Sequence, residues 1–391
     1  MEKKIIILIF LIITGASFLG GTLLHAEEKK GTMTSPTIAF TDFIRRYQKP
    51  TILGFLPYWQ TSTSSPSDDT VLTDLAYFGL TINTDGSIKR YDAPGEEEPG
   101  VTTLKKESVQ TRIRDAKKQG ITTSLVIHLA DEEHVASIAA APIQVATTLA
   151  SEVEPLMNRN NFQHLNMDIE SFQAATPGGQ LAMEVFFKTL RMLISPSIKI
   201  SVDIAPISVI KPQLIDPFKI APYVDQLIVM GYDFHYTGST VTGPVAPIGG
   251  AGITRSIDIS ALVGELIRTV PKEKVILAIP LYGYEWESII PASISATIPG
   301  SGKTASLKRI ESDIKPACEA KKNCTEGWDE SAKQPYMIIP EDTYFRVLYY
   351  ENERSITEKI QYAKDAGLGG IAFWALGYED SLFTKILSTY K

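Results

Sequence analysis

The run Leu165-Asn166-Met167-Asp168-Ile169-Glu170 alternates strictly between apolar and polar residues. In a strand, alternate side chains share a face, so Asn166, Asp168 and Glu170 point one way and Leu165, Met167 and Ile169 the other. Two carboxylates crowded on one face in partly dry surroundings repel, which raises the pKa of one and keeps it protonated. A proton donor beside a carboxylate anion is the pair that hydrolysis of a glycosidic bond needs. The competing reading is an ordinary solvated strand end, because structural ion-pair networks also perturb pKa values.

Four tryptophans bear on the same question. Trp59, Trp286, Trp328 and Trp374 all fall in segments expected at one end of the fold. Core packing is the common fate of a tryptophan. Sugar rings, however, present apolar C–H faces that lie against aromatic planes and leave their hydroxyls to polar partners. Four such residues at one rim are expected to line a glycan cleft.

The elements that would position these side chains show a clear rhythm. Apolar runs at 51–58, 75–83, 121–129, 164–169, 198–205, 226–232, 275–281 and 370–375 alternate with helical patterns at 104–120, 180–194, 259–270 and 355–367. Strands alternating with helices imply right-handed crossovers and a parallel sheet. Eight repeats imply a closed (β/α)8 barrel (TIM barrel, class α/β), with the site where the C-terminal ends of the strands meet their loops. Residues 285–352 break the rhythm between strands seven and eight and are expected to form a small insertion. It holds Trp328, a hairpin pattern at 336–340 and 344–350, and Cys318 and Cys324, whose spacing in an exported protein suggests a local disulfide.

Composition bounds the rest. The 391 residues are 44% hydrophobic and 21% charged with a net charge of -7. This excludes a disordered chain and argues against a nucleic-acid binder, which needs clustered excess Lys and Arg. No zinc-ligand spacing, metal triad or phosphate-binding glycine loop is present in the sequence, so neither metal nor organic cofactor is expected. Lys3 and Lys4 precede an uncharged run at 5–24, then Leu24-His25-Ala26 and two acids. Residues 1–26 read as a signal peptide, or as a retained membrane anchor, since the run is long enough to span a bilayer. The protein is therefore expected to be exported, either secreted or anchored at the outer face of the cytoplasmic membrane. Residues 27–49 read as a polar tether.

Over nearly all of residues 50–391 the chain resembles glycoside hydrolase family 18, the chitinase and endo-β-N-acetylglucosaminidase family. That family's fourth strand ends in Asp-Gly-x-Asp-x-Asp-x-Glu, matched here by Gln163-His164-Leu165-Asn166-Met167-Asp168-Ile169-Glu170. Met230-Gly231-Tyr232-Asp233, Gly369-Gly370-Ile371-Ala372-Phe373-Trp374, Gly54-Phe55-Leu56-Pro57-Tyr58-Trp59 and Pro280-Leu281-Tyr282-Gly283 match in order. The resemblance implies a catalytic domain over 50–391 and a retaining mechanism in which the substrate's own 2-acetamido group is the nucleophile. Glu170 would be the acid and Asp168 would hold the acetamido N–H. Tyr232 would hydrogen-bond the acetamido oxygen. Asp233, Met230, Tyr58, Trp59, Trp286, Trp328 and Trp374 would bind sugar. Gln163 and Asn166 depart from the motif's acids, and Val126-Ile127-His128-Leu129 stands where the family has Ser-x-Gly-Gly. Asn166, Asp203 and His128 are candidates for a replacement network, with a loop-capping Asp and a backbone-satisfied His as the plainer readings. The expected partner is an oligo- or polysaccharide containing N-acetylglucosamine, such as chitin or peptidoglycan, acted on by a monomer. A glycan-binding protein without catalysis, on the same barrel, is the alternative.

Overall fold

Each of the eight apolar runs becomes a strand: Thr51–Pro57, Asp74–Leu80, Thr122–Leu129, His164–Ile169, Lys199–Ile204, Gln226–Met230, Val275–Pro280 and Gly370–Trp374. All pair in parallel, and the first strand closes the barrel against the eighth through Thr51 opposite Gly370. A Cβ on Gly370 would sit 2.1 Å from the Thr51 carbonyl oxygen, so the seam demands glycine. The computed structural model describes residues 50–388 apart from 172–174, 322–323 and 380–382. The expected leader (1–26) and tether (27–49) lie outside the described residues. Among those described, no helix is long and apolar enough to cross a membrane.

Outward side chains of the strands bury against the helices; Leu165 and Met167, for instance, share a core with Leu149, Phe186 and Leu190. Helix Glu107–Lys118 turns Val109, Ile113 and Ala116 inward at helical spacing. Helix Pro177–Leu193 starts at Thr176, whose side chain accepts from Gly179 N. Helix Glu353–Ala366 starts at a reciprocal Asn352/Ser355 cap and stops at Gly367, which is left-handed. The first connection is not an α-helix but two 3₁₀ turns, Tyr58–Gln60 and Pro66–Val71. Arg112 fastens it with a buried fork, Nε and Nη2 donating to Asp69 at 2.7 and 2.6 Å.

Inside the barrel the filling is divided. Leu53, Phe55, Ala76, Phe78, Val126, Ile228, Ile276, Ala278 and Ala372 form an apolar plug, while Asn166, Asp168, Ser201 and Asp203 bury polar groups on the fourth and fifth strands.

The insertion is a five-stranded antiparallel sheet in the order Lys303–Ser306, Tyr282–Ser288, Phe345–Tyr349, Gln334–Pro340, Thr325–Asp329. It begins three residues before the expected 285, because only Leu281 separates its first strand from the seventh barrel strand. The expected hairpin is present, pairing Tyr336 with Tyr349 and Ile338 with Val347. Cys318 and Cys324 are disulfide-bonded with Cα atoms 5.3 Å apart.

Candidate active site

Parallel pairing sets the site's layers. His128, Asp168 and Asp203 are lateral neighbours on strands three, four and five, and Val126, Asn166 and Ser201 form the layer beneath. Glu170 follows the fourth strand, still held in register by its backbone N–H, which donates to the Leu129 carbonyl at 2.8 Å.

The three candidates for a replacement network are joined by hydrogen bonds to the strand acids and to one another's neighbours. Asn166 Nδ2 donates to Ser201 Oγ at 3.0 Å and to Asp203 Oδ1 at 2.9 Å. His128 Nδ1 lies 2.9 Å from Asp168 Oδ2, and the His128 ring packs on Phe78 at 4.9 Å. Asp168 is buried, and its Oδ1 has no hydrogen-bond partner among the described residues. Neither Asp203 nor His128 takes the plainer role open to it in the sequence: Asp203 is buried in the barrel, and His128 contacts a carboxylate.

Electrostatics separate the acids. Loss of water, then the charge of Asp168, pushes Glu170 up to about 7, with His128 pulling down and Asp233 adding to the rise. Burial first, and Asp168 next, holds Asp203 well above the carboxylate range, toward its protonated form. For His128, burial favours the neutral ring, but the hydrogen bond and charge of Asp168, with the charge of Glu170, outweigh it and raise its pKa. The arrangement thus concentrates protons on Asp203 and Glu170 and pairs a histidine with Asp168.

The sixth strand delivers Tyr232 and Asp233 through Gly231, where a Cβ would meet Leu277 Cδ1 at 2.7 Å and the Ala278 carbonyl oxygen at 2.8 Å. Asp233 is left-handed at φ 61, a conformation Asp tolerates better than most residues. Its Oδ1 accepts from Tyr282 OH at 2.5 Å and Tyr284 OH at 2.9 Å. Much of Asp233 faces the open cleft, yet the protein around its carboxyl is dense enough that desolvation raises its pKa against those two bonds. Burial, then the charge of Asp203, keeps Tyr232 protonated far into the alkaline range.

A cleft of about 1260 Å³ lies over these groups, lined by Tyr58, Trp59, His128, Asp168, Glu170, Asp203, Met230, Tyr232, Asp233 and Trp374 among others. Trp374 meets Phe78 edge-on at 4.8 Å and Phe55 at 5.7 Å, and Trp59 joins them at 6.4 Å. Two expected sugar-binding tryptophans are not there. Trp286 has zero exposure, locked among Val245, Tyr282, Tyr284 and Tyr349 in the core of the inserted sheet, its Nε1 donating to the Tyr236 carbonyl at 3.0 Å. Trp328 lies on the Thr325–Asp329 strand of that sheet with Arg354 stacked on its ring at 3.8 Å. It does not line the cleft. Tyr282, Tyr284 and Trp286 share one face of the strand; the two tyrosines reach Asp233, and Trp286, further along, packs against Tyr284 at 6.0 Å. The sequence signal for these two tyrosines is the run Tyr282-Gly283-Tyr284, one residue beyond a barrel strand.

The family model described as glycosyl hydrolases family 18 matches residues 51–379. The putative sporulation-specific glycosylase YdhD of Bacillus subtilis (strain 168) is 28% identical over 160 residues, 40% of this chain and 33% of that protein. The chain spans less than half the length of the curated relatives it matches first. The Bacillus cereus spore cortex-lytic enzyme SleL superposes with a TM-score of 0.67 at 18% identity, covering 87% of this chain and 74% of that one. A chitinase of the same family from Cycas revoluta, in complex with (GlcNAc)3, gives 0.69 at 23%, covering 87% and 99%. At these identities the structural likenesses establish a shared barrel.

Proposed function

The chain belongs to glycosyl hydrolases family 18, and from that membership we propose that it cleaves β-1,4 bonds in glycans containing N-acetylglucosamine, with retention and with the substrate's acetamido group as nucleophile. The observation that carries this reading is Glu170, held near pKa 7 beside the buried Asp168. A carboxylic acid with that pKa both keeps its proton near neutrality and gives it up readily.

In the proposed reaction Glu170 protonates the glycosidic oxygen while the acetamido carbonyl of the sugar on the non-reducing side attacks its own anomeric carbon. The C–O bond breaks and an oxazolinium ion forms. Asp168 Oδ1, buried without a donor, accepts the acetamido N–H and balances the positive charge. An orphaned acceptor costs about 1–3 kcal/mol, so binding this substrate relieves a penalty already present in the fold. Tyr232 OH donates to the acetamido oxygen, Asp233 binds the same sugar, and Trp374 is its floor. Glu170, now ionised, takes a proton from water, which opens the oxazolinium. No step calls for a metal or an organic cofactor. A binding-only protein would need no proton donor, and Glu170 lines the cleft.

Export is part of the proposal, supported by the basic and apolar pattern of residues 3–24 and by the Cys318–Cys324 disulfide, which suits an oxidising compartment. The test is product analysis by mass spectrometry after incubation with N-acetylchitooligosaccharides and with purified peptidoglycan. Glu170→Gln should lower turnover by roughly 10²–10⁴-fold while calorimetry still detects binding. Near wild-type turnover in that variant would remove Glu170 from its role.

A further inference from the structure

We propose that His128, Asp168 and Glu170 also form a binding site for a divalent transition ion of the zinc type, and that the bound ion blocks the cleft's chemistry. One ring nitrogen of His128 and one carboxylate oxygen from each acid lie within 4.8 Å of one another. An ion at about 2.0–2.2 Å from each ligand needs ligand–ligand separations near ~3.3 Å. The His128–Asp168 contact is already 2.9 Å, and every other separation is at most 4.8 Å. One imidazole nitrogen and two carboxylates, with remaining positions open to water, is a set that suits zinc. Calcium and magnesium want all-oxygen shells of about six ligands or more.

Two further observations point to a cation. Asp168 Oδ1 is buried with no hydrogen-bond partner, which leaves the carboxylate short of positive charge. Apart from His128, whose Nδ1 meets the other oxygen, Oδ2, at 2.9 Å, the cleft offers it little positive charge. Lys89 is the one lysine or arginine among the described residues lining the cleft, and it is paired with Asp92 at 2.8 Å. Asp233 adds an acidic group to the same wall, while Asp203 is held toward its neutral form. His128, which supplies the nitrogen ligand, stands where the family's third-strand pattern has glycine.

Binding exchanges protons for the ion. The protons on His128 Nδ1 and on Glu170 pass to water, each freed lone pair goes to the metal, and no electron is transferred. With its lone pair committed, Glu170 has no proton to donate, so ion and substrate exclude one another. The site rests on its own geometry; only the blocking effect rests on the proposed activity.

Calorimetry and equilibrium dialysis of the full chain with zinc chloride test it, with magnesium and calcium chloride as controls. The expected result is one zinc equivalent per chain, no matching uptake of magnesium or calcium, and affinity reduced by more than ~10-fold in His128→Ala, since removing a direct ligand exceeds the usual loss from its supporting partners. In the wild-type chain, saturating N-acetylchitooligosaccharide should suppress zinc uptake, a measurement that needs no variant to fold. Absence of stoichiometric zinc binding, or wild-type zinc affinity in a folded His128→Ala chain, would overturn the site, and uptake unaffected by a demonstrably bound oligosaccharide would overturn the blocking effect. Were the glycan not to bind at all, the proposed function would fail, and stoichiometry with His128→Ala would still decide the ion site.

Discussion

Replacing His128 with Gln should move the alkaline limb of the pH–rate profile upward. The limb belongs to Glu170: the reactive form carries its proton, so kcat/KM is full below its pKa of about 7 and falls about tenfold per pH unit above it. Burial and Asp168 raise that pKa, and the positive charge of His128 lowers it. His128 is itself raised by its bond to Asp168, so its charge persists toward the pH at which Glu170 titrates. An opposite charge about 4 Å away is worth about 1 kcal/mol in water and about 4 kcal/mol at an effective dielectric constant of 20. One pH unit corresponds to about 1.4 kcal/mol. The cleft is open to solvent on one side, which places the pair nearer the watery limit and the displacement near ~1 pH unit. Asp168→Asn should displace the limb the other way, because it removes the largest charge acting upward. The assay is kcat/KM on a chromogenic N-acetylchitooligosaccharide across the neutral range in the three proteins. An alkaline limb that stays fixed or moves downward in His128→Gln would refute the charge assignment, whatever the variant's absolute rate.

Substrate assistance predicts that fully deacetylated chitosan resists cleavage, and that a thiazoline mimic of the oxazolinium ion inhibits competitively; comparable rates on chitosan and chitin oligomers would discard the mechanism. Asp168→Asn and Tyr232→Phe should depress kcat more than affinity, because their partners strengthen as charge develops; steady-state kinetics with calorimetry separates the two. Trp286→Ala should cost about 3–5 kcal/mol in denaturant titration, as expected for a fully buried aromatic, whereas Trp59→Ala, at 44% exposure on the cleft rim, should change stability by less than about 0.5 kcal/mol and weaken oligosaccharide binding. Fractionation with N-terminal sequencing should find the protein outside the cytoplasm; a soluble cytoplasmic chain with Met1 intact would contradict export.

The barrel and its central acids were legible in the sequence because both rest on local periodicity. Alternation in Leu165–Glu170 assigns faces without knowledge of any neighbour, and eight such runs separated by helical patterns have few ways to bury their apolar faces. Order along the chain likewise placed Tyr232, Asp233 and Trp374 at the strand ends that meet at one rim. The inserted sheet was different. Which face of Tyr282–Ser288 meets the barrel depends on pairing with Phe345–Tyr349, more than fifty residues away, and nothing local distinguishes a tryptophan in a cleft from one in a core. Pairing with remote strands buried Trp286 and gave Asp233 its two tyrosines, and the helix Glu353–Ala366 set Arg354 over Trp328. The partnership of His128 with Asp168 came from the same kind of fact: barrel closure sets strand three beside strand four with these residues level. The sequence supplied the ionisable groups. Their protonation was decided by distance and by water excluded on folding, quantities that exist only once remote strands are side by side.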